Sequence, residues 1–180
     1  MEKGKEKIAL TASGDEAAFK DIFEHYYPKV KMFLGQFISS QDDAMDLAQN
    51  IFIKIWLQRT NLTEIRSFGA FLYTMTRNAA IDYGRTHKIK IPLTEVDFHR
   101  KGGYESESEF YAKEIEAQVA HMIKLMPSKR RKVFILSRLE GKSYAEIAEL
   151  LGISRKTVEN HINLALKELR KITKCIAIFF

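Results

Sequence analysis

The chain has 180 residues, 46% apolar and 29% charged, with a single cysteine, Cys175; these proportions suit a soluble globular protein and argue against disorder. No apolar run approaches the roughly 20 residues needed to span a bilayer, and the terminus MEKGKEKIAL lacks the apolar core of a signal peptide, so the expected location is the cytoplasm. One cysteine excludes an internal disulfide framework and any multi-cysteine metal site. Net charge is +6, unevenly spread. Residues 1–91 hold 13 Lys/Arg and 11 Asp/Glu, residues 92–116 hold 3 and 7, and residues 117–180 hold 13 and 5. A near-neutral block, an acidic connector and a basic block follow one another. The basic block has the electrostatic footprint expected of a domain that displaces counterions from phosphates; the alternative is a solvated basic surface, and charge alone does not separate the two.

Gly and Pro are scarce and no strand-like alternation recurs, so the expected fold is all-α: two small helical domains joined by a flexible linker, the C-terminal one a helix-turn-helix. The first helix runs from Asp15 to about Gln36, with Phe19, Ile22, Phe23, Tyr26, Val30, Phe33, Leu34 and Phe37 at helical spacing. Pro28 inside it predicts a kink or a restart. Ser40-Gln-Asp-Asp43 reads as an N-cap with acids in the first turn, opening a helix to about Arg59. Its inward stripe is Ala44, Leu47, Ala48, Ile51 and Ile55, with Met45, Phe52 and Trp56 extending the apolar surface. Thr60 to Arg66 is a polar break. Ser67 then caps a helix from Phe68 to about Arg85, with Phe71, Leu72, Met75 and Ala79 inside and Arg77, Asn78, Asp82 and Arg85 outside. These helices bury a core of their own, which places one domain at about 12–90.

Residues 91–114, with Ile91-Pro92, Gly102-Gly103 and Glu105-Ser-Glu-Ser-Glu109, read as an acidic linker. Helical periodicity resumes at Ile115, Val119, Met122, Ile123 and Met126, opening a second domain at 115–174. Pro127-Ser128 separates that helix from another with Val133, Leu136 and Leu139 inside and Gly141 as its stop. Ser143-Tyr-Ala-Glu146 is a capping box, Gly152 ends the helix it opens, and Ser154 caps the next. Ile147, Leu151, Ile153, Val158 and Ile162 can meet in one small core, with Ala148 and Gly152 permitting the close crossing of a helix-turn-helix. Arg155, Lys156, Thr157, Glu159, Asn160 and His161 then lie on the first turns of the second helix, where such modules reach base edges. Lys167, Arg170 and Lys171 are placed to touch backbone phosphates. His161 has a second reading as a half-buried cap on the core. The apolar tail Cys175-Ile-Ala-Ile-Phe-Phe180 is expected to pack on the C-terminal domain.

The whole chain resembles a bacterial RNA polymerase sigma factor of the extracytoplasmic-function (ECF) group. GDEAAFKDIFEHYYPKV is similar to the opening helix of that family's first domain, and DDAMDLAQNIFIKIW to the helix that docks on the polymerase clamp. SFGAFLYTMTRNAAIDYGR resembles the promoter-melting and minus-ten-reading helix, and MPSKRRKVFILSRLEGKSYAEIAELLGISRKTVENHINLALKELRK the domain that reads the minus-thirty-five element. The absence of a further domain before or between these suits the ECF group. The resemblance implies that Asp42, Asp43, Asp46, Gln49, Phe52 and Trp56 contact core RNA polymerase, whose partner surfaces are the clamp coiled coil of the largest subunit and the flap. The alternative is a solvated acidic terminus with two core aromatics. It further implies that Asn61, Thr63, Arg77, Asn78, Asp82 and Arg85 serve the minus-ten element, and that the reading-helix residues bind promoter DNA at minus thirty-five. The aromatic pair with which housekeeping sigma factors wedge DNA open is not evident, which implies dependence on near-ideal promoters. An anti-sigma factor, commonly membrane-anchored in such proteins, is an implied partner. No cofactor, metal, catalytic residue or small-molecule substrate is expected.

Two other readings compete. KTVENHI also resembles the recognition helix of response-regulator and quorum-type transcription factors, but these carry an alternating strand-and-helix domain first, whereas residues 12–90 read as helices throughout. A nucleic-acid-processing enzyme would need a constellation such as HExxH or a P-loop, and none appears. Asp42 and Asp43 are adjacent in sequence and so do not share a helix face.

Overall fold

The computed structural model describes residues 2–93 and 107–179 and contains eight α-helices among them. They are α1 (Glu2–Ala12), α2 (Glu16–Leu34), α3 (Gln41–Leu57), α4 (Phe68–Thr86), α5 (Glu107–Leu125), α6 (Ser128–Arg138), α7 (Tyr144–Leu151) and α8 (Arg155–Ala177), with a 3₁₀ turn, Arg59–Glu64, between α3 and α4. No described helix is long and apolar enough to cross a membrane. The chain divides into two units: Met1–Glu114 with Cys175–Phe180, and Ile115–Lys174.

In the first unit each long helix begins where a short polar side chain satisfies an orphan backbone donor. Asp15 accepts from the Ala18 amide at 2.8 Å, Ser40 from Asp43 at 3.2 Å and Ser67 from Ala70 at 3.1 Å. Val30, Phe33, Leu34, Ala48, Ile55 and Leu72 are buried between the helices. Of the kink or restart expected at Pro28, the restart does not occur: α2 is one helix through that residue. Packing holds both halves, with Phe23 and Tyr27 against Phe52 on one side and Val30, Phe33 and Leu34 buried on the other, which outweighs one lost hydrogen bond.

Three local expectations are corrected. The sequence indicated no helix before Asp15, yet α1 forms and packs on α2 and on the 3₁₀ turn. Its Lys7 pairs with Asp21 at 2.5 Å, and Thr11 is buried with its hydroxyl donating to the Lys7 carbonyl. The polar break at Thr60–Arg66 is largely this ordered turn, pinned by the buried Leu62. The buried side of α4 carries Phe68, Leu72, Tyr73, Thr76, Arg77 and Ala80 rather than Phe71, Met75 and Ala79, which are half-buried. Thr74 and Thr76 enter the interior because their hydroxyls donate to the carbonyls of Ala70 and Leu72.

Within the acidic connector, Leu93 is buried and residues 107–114 form the start of α5, with Phe110 and Glu114 buried; Gly102, Gly103 and Glu105 lie outside the described residues. The apolar tail belongs to the first unit, not the second as expected. Phe179 sits edge-on to Phe33 and Tyr73, with ring centroids 5.6 and 5.5 Å away, in the geometry aromatic quadrupoles favour.

In the second unit one cluster, Met126, Val133, Phe134, Leu136, Ile147, Ala148, Val158, Ile162, Ala165 and Leu169, unites α6, α7 and α8, with Val119, Met122 and Ile123 of α5 packed against it. Leu139, expected inside, is exposed, because α6 ends at Arg138 and Phe134 fills the interior instead. The capping box is complete: Ser143 accepts from the Glu146 amide, and Glu146 accepts from the Ser143 amide at 2.8 Å. Those bonds hold the Glu146 carboxyl below its ordinary pKa. Gly152 adopts φ 62°, ψ 38°, the left-handed conformation that lets α7 stop and α8 start three residues later, at Arg155.

Candidate nucleic-acid and polymerase interfaces

Because Val158, Ile162, Ala165 and Leu169 are buried, the orientation of α8 in its unit is set, and its opposite side is polar. Arg155, Lys156, Asn160, Lys167, Arg170 and Lys171 are exposed; Thr157, Glu159 and His161 are half-buried. Asn163 and Leu164 are also exposed. Asn163 was missed, though its spacing from Lys156, Asn160 and Lys167 at i, i+4, i+7 and i+11 would have placed it on the same stripe.

Not all of these side chains are equally available. Thr157 is part of the cap: its amide donates to Ser154 Oγ at 3.0 Å and its hydroxyl lies 2.8 Å from the same oxygen. Lys156 donates to Glu159 at 2.9 Å, so that pair presents little net charge. The buried Nδ1 of His161 has no hydrogen-bond partner, which fits the reading of this ring as a half-buried cap over the core. Arg130 of α6 pairs with Glu168, tying α6 to α8.

On α3 the apolar side chains expected to meet a partner are largely internal. Phe52 is buried against Phe23 and Tyr27. Trp56 is half-buried, 4.9 Å from Phe19 and beneath the Arg59 guanidinium. Both pack inward because aromatics this large find a core in so small a unit. Asp43 is half-buried and accepts a hydrogen bond from Tyr83 at 2.6 Å, which holds α3 to α4 and raises the Tyr83 pKa. What α3 exposes is a stripe of Asp42, Asp46, Gln49, Ile53 and Leu57. Ile53 and Leu57, 54% and 72% exposed, are the large apolar side chains on this stripe.

Near α4, Asn61 and Thr63 are exposed on the 3₁₀ turn, on either side of the buried Leu62. Asp82 and Arg85 are exposed and 3.5 Å apart, and Asn78 is half-buried with its Oδ1 buried and without a hydrogen-bond partner. Arg77 does not lie on an outer face. It is fully buried, and its Nη1 donates to Glu114 Oε1 at 2.5 Å. The Tyr73 hydroxyl donates to the same oxygen at 2.9 Å, and burial next to that carboxylate drives the Tyr73 pKa far up. The outward assignment failed because the carboxylate that neutralises Arg77 comes from 37 residues away. Among the described residues no group of His, Cys, Asp or Glu could hold a metal.

The profile of sigma-70 region 2 matches residues 22–89, and that of sigma-70 region 4 matches residues 116–169. The chain belongs to the sigma-70 family. It is of the ECF type, a class of factor that confers promoter-specific initiation of transcription. It is 28% identical over 153 residues to the RNA polymerase sigma factor SigZ of Bacillus subtilis, covering 85% of each chain. It is 27% identical over 177 residues to the ECF RNA polymerase sigma factor SigW of the same organism, covering 93% of this sigma factor and 95% of SigW. A solved structure of CnrH in complex with the cytosolic domain of CnrY aligns at TM-score 0.43 and 25% identity, over 94% of this chain and 96% of that one.

Proposed function

We propose that this sigma factor divides its work among three surfaces. The exposed stripe of α3 binds core RNA polymerase at the clamp coiled coil. The 3₁₀ turn, with Asp82 and Arg85 of α4, captures bases and backbone of the opened minus-ten element. The polar side of α8 reads the minus-thirty-five element in the major groove, and its unit meets the polymerase flap. The family further suggests an anti-sigma factor, membrane-anchored in many cases, as a partner. In this reading the protein acts by binding rather than catalysis, in the cytoplasm with polymerase. The observation that carries the assignment is α8 itself: one side locked into the core by Val158, Ile162 and Ala165, the other exposing Arg155, Asn160 and Lys171.

Arg155→Ala or Asn160→Ala in the holoenzyme is expected to cost about 1–3 kcal/mol at the preferred promoter and to relax base preference at single positions. Lys171→Ala is expected to weaken all sequences alike and to reduce the salt slope by about one. Binding measured on preferred and random duplexes across a salt series checks both. Equal effects of all three substitutions on the two duplexes would remove the reading-helix assignment.

For the polymerase surface, Asp42→Lys with Asp46→Lys is expected to weaken core binding about tenfold or more while leaving the circular dichroism spectrum unchanged. Asp43 is left out of this test because its reversal would also break the Tyr83 hydrogen bond. Unchanged affinity in a core-enzyme pull-down would place the contact elsewhere.

A further inference from the structure

The 3₁₀ turn offers Asn61 and Thr63 outward, but six residues are too few to hold a shape by their own hydrogen bonds. Its start is held by Arg59. The Arg59 guanidinium lies over the Trp56 ring, 4.5 Å from the centroid, and its Nη1 donates to the Trp56 carbonyl at 3.0 Å. Beside the Arg59 side chain is Gly14, in the bend between α1 and α2. A Cβ added at Gly14 would lie 3.7 Å from Arg59 Nε, and φ there is +98°, a conformation that glycine accepts without steric cost. The bend is closed by the Gly14 amide to Thr11 and the Asp15 amide to Leu10, each at 3.0 Å. Trp56 in turn rests on Phe19 of α2. Two parts of this clasp, Gly14 and Phe19, lie before the region 2 match, which begins at residue 22.

We propose that Arg59, held over Trp56 beside the Gly14 bend, is a positioning residue that orients the Asn61–Thr63 segment and so sets base preference at minus ten. This rests on the assignment of that turn to base capture. The physical requirement is a planar cation. A guanidinium stacks flat on an indole while its N–H groups reach a carbonyl in the ring's vicinity, and an ammonium cannot do both. The 3₁₀ turn begins at Arg59, and Leu62 is buried three residues on. With both anchored, Asn61 and Thr63 have little freedom; with Arg59 released, the start of the turn loses its side-chain anchor while Leu62 and the packing of α1 still hold the rest.

The test uses holoenzyme assembled from core polymerase and the full chain, with a promoter selected by that holoenzyme from a random library. Each minus-ten position is replaced in turn by the other three bases. Arg59→Lys keeps the charge and most of the length, and is expected to reduce discrimination at the position read by Asn61 about tenfold. Affinity for the disfavoured base, salt slope and minus-thirty-five preference should stay constant. Arg59→Ala should show the same flattening, and Asn61→Ala marks which position the turn reads. A uniform loss of affinity across all bases in Arg59→Lys would make Arg59 a merely structural or phosphate-contacting residue and overturn the proposal. So would an unchanged base profile in Arg59→Lys while Asn61→Ala flattens it. If Asn61→Ala and Thr63→Ala also leave the profile unchanged, the turn is not the reader, and both assignments fall.

Discussion

Glu114→Ala is expected to destabilise the first unit by about 3–5 kcal/mol, the effect of removing one partner of a buried ion pair. Arg77 is completely buried and the Glu114 side chain 3% exposed, so water cannot replace the lost carboxylate. The substitution also removes the acceptor of the Tyr73 hydroxyl, a second buried polar group. Arg77→Ala should cost a similar amount, since it removes the cation beside the buried Glu114 carboxylate and leaves a void next to α4. The double variant Arg77→Met with Glu114→Leu should recover most of the loss, because apolar side chains of similar size need no partner. Hydrogen exchange at α4 amides, compared with urea unfolding followed by circular dichroism, reads the first unit directly. Single-variant losses below about 1 kcal/mol would show that the pair is solvated in solution and not buried.

Core polymerase is expected to tighten specific promoter binding by about a hundredfold or more over the free chain. Residues 117–180 carry 13 Lys/Arg against 5 Asp/Glu, which favours duplex DNA, but a single reading helix buries too little surface for tight specific binding. The first 91 residues, with 13 basic and 11 acidic side chains, have little electrostatic hold on DNA. Their proposed target, unpaired minus-ten bases, is exposed only when the duplex is opened. Each module alone is therefore weak, and polymerase supplies the effective concentration that makes the second contact follow the first. Footprints with and without core enzyme over a salt series measure this. Full, promoter-specific protection by the free chain at physiological salt would contradict the account and favour a conventional DNA-binding regulator.

How much could be read in advance differs between the two units. The helix-turn-helix was legible in detail because its signals are local. The Ser143/Glu146 box, the left-handed Gly152 and the Ser154 cap each act within four residues, and the spacing of Val158, Ile162 and Ala165 sets the polar side of α8. The exposure of Arg155, Lys156, Asn160, Lys167, Arg170 and Lys171 followed directly from that spacing, while Asn163 on the same stripe was not picked out. In the first unit the helix starts at Asp15, Ser40 and Ser67 were equally legible, for the same reason.

What escaped the sequence were choices made by partners distant along the chain. Nothing near Arg77 indicates that Glu114 will neutralise it and turn it inward, and nothing near Phe179 points to Phe33 and Tyr73. Phe52 and Trp56 look as suitable for an interface as Ile53 and Leu57, until packing against α2 takes the aromatics inside and leaves the aliphatics in water. Caps and periodicity depend on neighbours within one or two helical turns, so composition and spacing reveal them. Which of two plausible faces is buried depends on the whole set of surfaces competing for it, and that competition is resolved only when the helices pack.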